Sequence, residues 1–400
     1  MKLTSGGFAA SLIAVCLVTV STVRADDGDG RSNRYVVTNL TSNQQGVAPN
    51  TDPVLQNAWG VAFSPGASPF WIADNATGCS TLYDGAGVPQ PPANPSATPP
   101  VVPLKVKIPL PSGDTSTACK PVDPKHPPSP TPAAPTGVVW NPNPTPNFLV
   151  PHTTTPTPAI FIFDTEDGTV SAWSGGLAQA VIAVDNSGSG AVYKGLVFGT
   201  NPKGVFLFAT NFRAGTVDVF GPATASSNGM YVPVTTSGGF KDPDIPSGFA
   251  PFGIQNINGD LFVTYAKQNA EKHDDVAGPG NGFVDVFDTD GRLLRRFASR
   301  GPLNSPWGVA RASFAFGRFS GDVLIGNFGN GQINAFDSDG DFLGTLRDAK
   351  GKPLAIDGLW TLTLGGGRNS SSDTLYFTAG PNSEMDGLFG TITPVSMDQM

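Results

Sequence analysis

Charge is scarce in this 400-residue chain: 14% of residues are Asp, Glu, Lys or Arg, and acids outnumber bases by 32 to 24. A body short of positive charge is poorly suited to nucleic acid or to anionic membrane surfaces. Histidine is scarcer still. The three copies, His126, His152 and His273, lie in unrelated stretches, which argues against a three-His zinc centre. Amphipathic helical periodicity is missing beyond the first twenty-odd residues, and that removes helix bundles and α/β folds. Long apolar runs are missing too. The run from Phe8 to Val20 falls well short of the roughly 20 residues a span needs, so no membrane span is expected. No nucleophile elbow is found, and "SGSG" and "GPGNG" lack the Lys-Ser/Thr pair and following helix of a phosphate loop.

What the chain has in quantity is turn residues, 49 Gly and 38 Pro, the composition of many short strands. Residues 1–25 read as a secretory signal peptide: Lys2, the apolar run, then Val23-Arg24-Ala25. A secreted or periplasmic protein is expected. Once the leader is removed, Cys79 and Cys119 remain, and export predicts a disulfide between them.

The string "NAWGVA" (57–62) returns as "SPWGVA" (305–310). Aligning on its glycine gives six copies, at Gly60, Gly137, Gly195, Gly253, Gly308 and Gly358. The first step is long because of a Pro-rich insertion at about 89–135, where 16 of 47 residues are proline. An aromatic-rich strand follows each glycine: "FWIADN", "NFLVPH" (147–152), "VFLFATN", "LFVTYAK", "VLIGNFG" and "LYFTAGP". A third strand follows, often ending in a hairpin-type Asp-Gly, and then a weaker fourth. Four strands per repeat predict an all-β fold, a six-bladed β-propeller. The last repeat is one strand short, so "RYVVTNLT" (34–41) is expected to complete it and close the ring. The expected organisation is signal peptide 1–25, flexible N-terminus 26–33, one propeller over 34–394 and a tail of 395–400.

The strings "DPVLQNAWGVAF", "FIFDTEDGTVSAW", "LNSPWGVA", "VLIGNFGNGQINAFD", "DGLWTL" and "LYFTAGPNSEMDGLFG" resemble an uncharacterised family of exported propeller proteins. The resemblance runs from about Tyr35 to Pro394 and is more distantly similar to NHL-type and lactonase-type six-bladed propellers. It implies fold and export, and supplies no reaction.

In a propeller, loops before the first strand and after the second strand of each blade share one face around the channel. Before the first strand this places Asn57, Thr136, Lys194, Pro251, Pro306 and Asp357. After the second it places Asp74-Asn75, His152-Thr153, Thr210-Asn211, Tyr265, Asn327 and Glu384. The candidate ligand-binding set is therefore Asn57, Asp74, Asn75, Asn211, Tyr265, Asn327, Asp357 and Glu384. Oxygen ligands of this kind suit Ca²⁺, with Asp74, Asn211, Asn327 and Asp357 as the candidate metal set. The competing reading is that Asp and Asn simply end strands by local turn bonding. "DTEDG" (164–168) reads as a hairpin turn, and "EKHDD" (271–275) as a solvated loop that could overhang the channel. Trp59, Trp307 and Trp360 read as buried in the innermost sheet rather than as a sugar platform. The function these features predict is a monomeric binding module for a small molecule, glycan or protein on the channel face. The alternatives are a calcium-dependent hydrolase or lyase of the lactonase type, and an extracellular structural protein.

Overall fold

The computed structural model describes residues 32–66, 68–142, 148–224 and 226–395, and the expected signal peptide lies outside them. Short apolar strands flanked by Gly and Asp turns pair antiparallel, each with its sequence neighbour. Their middle members are buried on both faces, as in Phe70–Asp74, Phe161–Thr165 and Phe283–Phe287. That is why their sequences show no alternation. Six sheets result. Their innermost strands are Ala58–Ala62, Pro135–Trp140, Tyr193–Asn201, Phe249–Ile257, Pro306–Arg311 and Leu359–Leu364, for blades 1 to 6.

The ring closes as the missing strand demanded. Tyr35–Ser42 pairs antiparallel with Leu388–Pro394, from Tyr35 opposite Pro394 to Ser42 opposite Leu388. The short strand Asn50–Thr51 then adds parallel to its outside. Large apolar side chains fill the gaps between blades. Trp71 of blade 1 stacks on Phe161 of blade 2 with ring centroids 4.1 Å apart, and Trp173 lies 4.7 Å from it.

The inner-strand glycine is a close-approach device. A Cβ on Gly60 would lie 2.5 Å from the Thr136 carbonyl oxygen of the next blade, and one on Gly253 2.2 Å from that of Trp307. Blade 6 corrects the alignment. Ala58 opposes Asp74 as Leu359 opposes Ala379, so the residue matching Gly60 is Thr361, not Gly358. Thr361 turns its hydroxyl to donate to the Trp59 carbonyl at 2.7 Å, while Gly358 sits in a turn at φ +64°.

Blade 2 holds the second correction. Its second strand is Phe161–Thr165 and its third Thr169–Trp173; "NFLVPH" is not a blade strand. The described part, Phe148–His152, belongs to an insertion between the first two strands. The aromatic signal there was real burial of another kind: Phe148 packs against Phe198 and Tyr231 of blade 3.

Cys79 and Cys119 form the expected disulfide, with Cα atoms 4.9 Å apart. It ties the Pro-rich excursion to the start of a blade 1 strand, and Lys105–Lys107 of that excursion supplies the blade's fourth strand.

Candidate functional site

The residue just before the inner-strand glycine position, which is Thr361 in blade 6, is carried to the propeller axis in every blade. Around the ring these are Trp59, Thr136, Lys194, Phe252, Trp307 and Trp360. Four aromatics meeting at one axis have no room for a channel. Trp59 stacks on Trp360 with centroids 3.5 Å apart, Trp307 meets both edge-on, and Phe328 stacks on Trp360 at 3.9 Å. Trp307 reaches across the axis, donating Nε1–H to the Lys194 carbonyl at 2.8 Å. The axis is therefore plugged. Beyond the plug lies a cavity of about 60 Å³ lined by inner-strand residues such as Gly60, Gly137 and Leu196.

Lys194 is the one charged member of the axial ring, and it is 2% exposed. A buried ammonium needs a countercharge. Glu166, the first residue after the second strand of blade 2, supplies it by a direct ion pair. Asp274, from the long excursion after the second strand of blade 4, places Oδ1 3.6 Å from Nζ. The ammonium also sits over the Trp59 ring, 5.2 Å from its centroid, and 5.9 Å from that of Phe212. Burial alone would lower the Lys194 pKa, but Glu166, with Asp274 and Glu384 behind it, holds it above the ordinary lysine value.

Three more groups surround this centre. His273 Nδ1 lies 2.8 Å from Asp274 Oδ1. That bond keeps the imidazole protonated above its usual range and holds the Asp274 carboxyl below its own. Asn75 donates Nδ2–H to Glu166 Oε2 at 2.9 Å. Asn57 donates to Asn75 Oδ1 at 3.1 Å and to Glu384 Oε2 at 2.7 Å, and accepts Trp360 Nε1–H at 3.0 Å. Burial, reinforced by Glu166, pushes the Glu384 carboxyl up to about 7, with Asn57 and Lys194 offsetting only part. Glu384 is carried on backbone that side chains avoid: Asn382, Ser383 and Glu384 have φ of +57°, +54° and +66°. Strain of this kind gathers at functional sites.

Of the residues expected on the channel face, the fold brings Asn57, Asn75 and Glu384 together. The others serve their own blades. Asn211 donates to Asp218 Oδ2 at 3.0 Å and accepts the Val192 and Ala214 amides. Asn327 accepts the Asn304 amide and donates to the Pro302 carbonyl. Tyr265 is buried beside Asp285. Asp74 is fully buried near Thr81, Asp52 and Lys105. Asp357, exposed, accepts the Asn382 amide at 2.8 Å. His152 leaves the candidate ring, because the insertion that carries it joins the first and second strands at the opposite end of the blade.

Glu166, His273 and Asp274 are the residues sequence reasoning missed. The misplaced second strand of blade 2 put His152 where Glu166 belongs. "DTEDG" does make a hairpin turn, yet its Glu turns to the axis; "EKHDD" does overhang it. Among the described residues, Glu166, His273 and Asp274 also form the one group of acidic, imidazole or thiol side chains close enough to share an ion. Their chemistry does not fit Ca²⁺, which takes 6–8 oxygens. One donor is an imidazole, and the Lys194 ammonium already lies against both carboxylates.

No protein-family model matches the chain. It is similar to uncharacterized proteins of Acanthamoeba polyphaga mimivirus. One is 29% identical over 358 residues, covering 88% of this chain and 78% of the relative. Two more are 31% identical over 238 residues and 35% identical over 207. Those matches cover 58% and 52% of this chain, which spans 42% and 52% of the two relatives. Among solved structures, a gluconolactonase from Xanthomonas campestris aligns at 14% identity and TM-score 0.45, over 85% of this chain and 88% of that one. A virginiamycin B lyase from Staphylococcus aureus aligns at 13% and 0.42, over 90% of this chain and 100% of that one. The chain is thus similar to uncharacterized viral proteins, and these likenesses assign it no activity.

Proposed function

We propose that this protein is an exported binding module that takes a small polar solute at the channel mouth, over the Lys194 ammonium. One observation carries the reading: a buried lysine on the axis is matched by acidic groups from three other blades. An apolar residue would complete the aromatic plug equally well. Buried ion pairs rarely improve stability over an apolar pair of the same shape. A fold that keeps one at the convergence of its loops is keeping it for a ligand. The resident ammonium, the buried Asn57 and the half-buried Asn75 and Glu384 supply donors and acceptors that fix a ligand's orientation. The leader-like residues 1–25 and the Cys79–Cys119 bond support export.

The test separates fold from site. Lys194→Met combined with Glu166→Gln removes both charges at once and leaves no orphaned ion. We expect it to melt within a few degrees of wild type, or higher. A thermal-shift screen of polar metabolites should yield ligands that stabilise wild type and lose that effect in the double variant. Hits that stabilise both proteins equally would refute a site at this mouth.

A further inference from the structure

The mouth is unbalanced in charge, and the imbalance points to a class of ligand. Five carboxyl groups face or border it: Glu166, Asp167, Asp274, Asp275 and Glu384. Two basic groups answer them, Lys194 and His273, and these are taken by Glu166 and Asp274. That leaves Asp167, Asp275 and Glu384 without a paired cation: Asp167 accepts the Ala134 amide, Glu384 accepts the Asn57 amide, and Asp275 lies beside Ser305. All three carboxyls are held above their usual range by burial. A cation arriving from solvent relieves that cost, whereas an anion adds to it.

A second observation is independent of the acids. Of the three indoles on the axis, Trp307 and Trp360 have acceptors for Nε1–H, while Trp59 Nε1 is buried with no partner. Trp59 is 1% exposed and lies directly beneath the Lys194 ammonium. Its unmet donor leaves a place for an oxygen atom close to that ammonium.

We propose that the mouth takes the ammonium group of a small primary amine that also carries a hydroxyl, held by Glu384 and Asp275 in front of Lys194. This rests on the binding-module reading and narrows it to one ligand class.

Three four-carbon probes differ only in the charge of one end: 4-amino-1-butanol, 1,4-butanediol and 4-hydroxybutyrate. Titration of the full chain by calorimetry at low salt should rank the amine at least about tenfold tighter than the diol, with the hydroxy acid weakest. Glu384→Gln should weaken the amine about tenfold and the diol by much less. Amine affinity should also rise between pH 6 and 8, as Glu384 ionises. Lys194, Glu166 and Asp274 are the other charges facing Glu384. The Gln variant should lose the Glu384 part of that rise. Equal binding of amine and diol, or a preference for the hydroxy acid, overturns the amine class while leaving a polar binding site intact. Failure of the amine to bind, when the metabolite screen has produced ligands sensitive to Lys194→Met/Glu166→Gln, also overturns it.

Discussion

Asp74 ends the second strand of blade 1 with both carboxyl oxygens buried and without a hydrogen-bond partner. Burial pushes its carboxyl well above the usual range; Thr81 and Lys105 pull the other way and do not compensate. A carboxyl whose pKa is higher folded than unfolded stabilises fully only below the ordinary carboxylate range, and that contribution drains away as pH rises. Replacing it with a neutral isostere removes the dependence. Asp74→Asn should be close to neutral at pH 4 and stabilising by about 1–3 kcal/mol at pH 8, read from urea unfolding at both values. At this scale the sequence was half legible. Asn57, Asn75 and Glu384 were found because repeat position alone assigns them a face. Asp74 and Asn211 share that position class, yet their side chains turn into their own blades, and a one-dimensional pattern carries no side-chain direction. Glu166 was hidden by an insertion that displaced the alignment by a strand.

Blades are elements that must touch along their inner edge, and the tolerance is smallest at the inner-strand glycines. Gly253→Ala would drive a methyl into the Trp307 carbonyl and should cost about 3 kcal/mol or more. Gly175→Ala, where nothing lies within 4 Å of the added carbon, should change the melting temperature by a degree or two at most. The Pro-rich excursion is a second element with a measurable anchor. Its disulfide closes a span of 40 residues, worth about 4 kcal/mol on loop-closure entropy. Denaturation with and without reductant should show that loss, and a Cys119→Ser variant should show the same loss without reductant. The glycine spacing and aromatic strands made this level readable, because every blade solves one packing problem with one set of residue types. Blade 6 broke the pattern by using Thr361, whose hydroxyl finds a carbonyl where the other blades leave no room for a side chain.

For the molecule as a whole, closure depends on a strand supplied from the other end of the chain. Tyr35 is 1% exposed, stacks 4.9 Å from Phe316 and donates its hydroxyl to the Phe316 carbonyl, so the seam is also fastened to blade 5. Removing residues 1–42 would open the Leu388–Pro394 edge, and we expect self-association on size exclusion with cooperative melting lost. The plugged axis has a further use. Trp59 and Trp360 lie face to face, and the Lys194 ammonium hovers over the first of them. Indole emission is sensitive to a nearby charge, so any solute that shifts that ammonium will change the fluorescence of the native chain. The protein carries its own optical gauge of occupancy, and no dye is needed to read it.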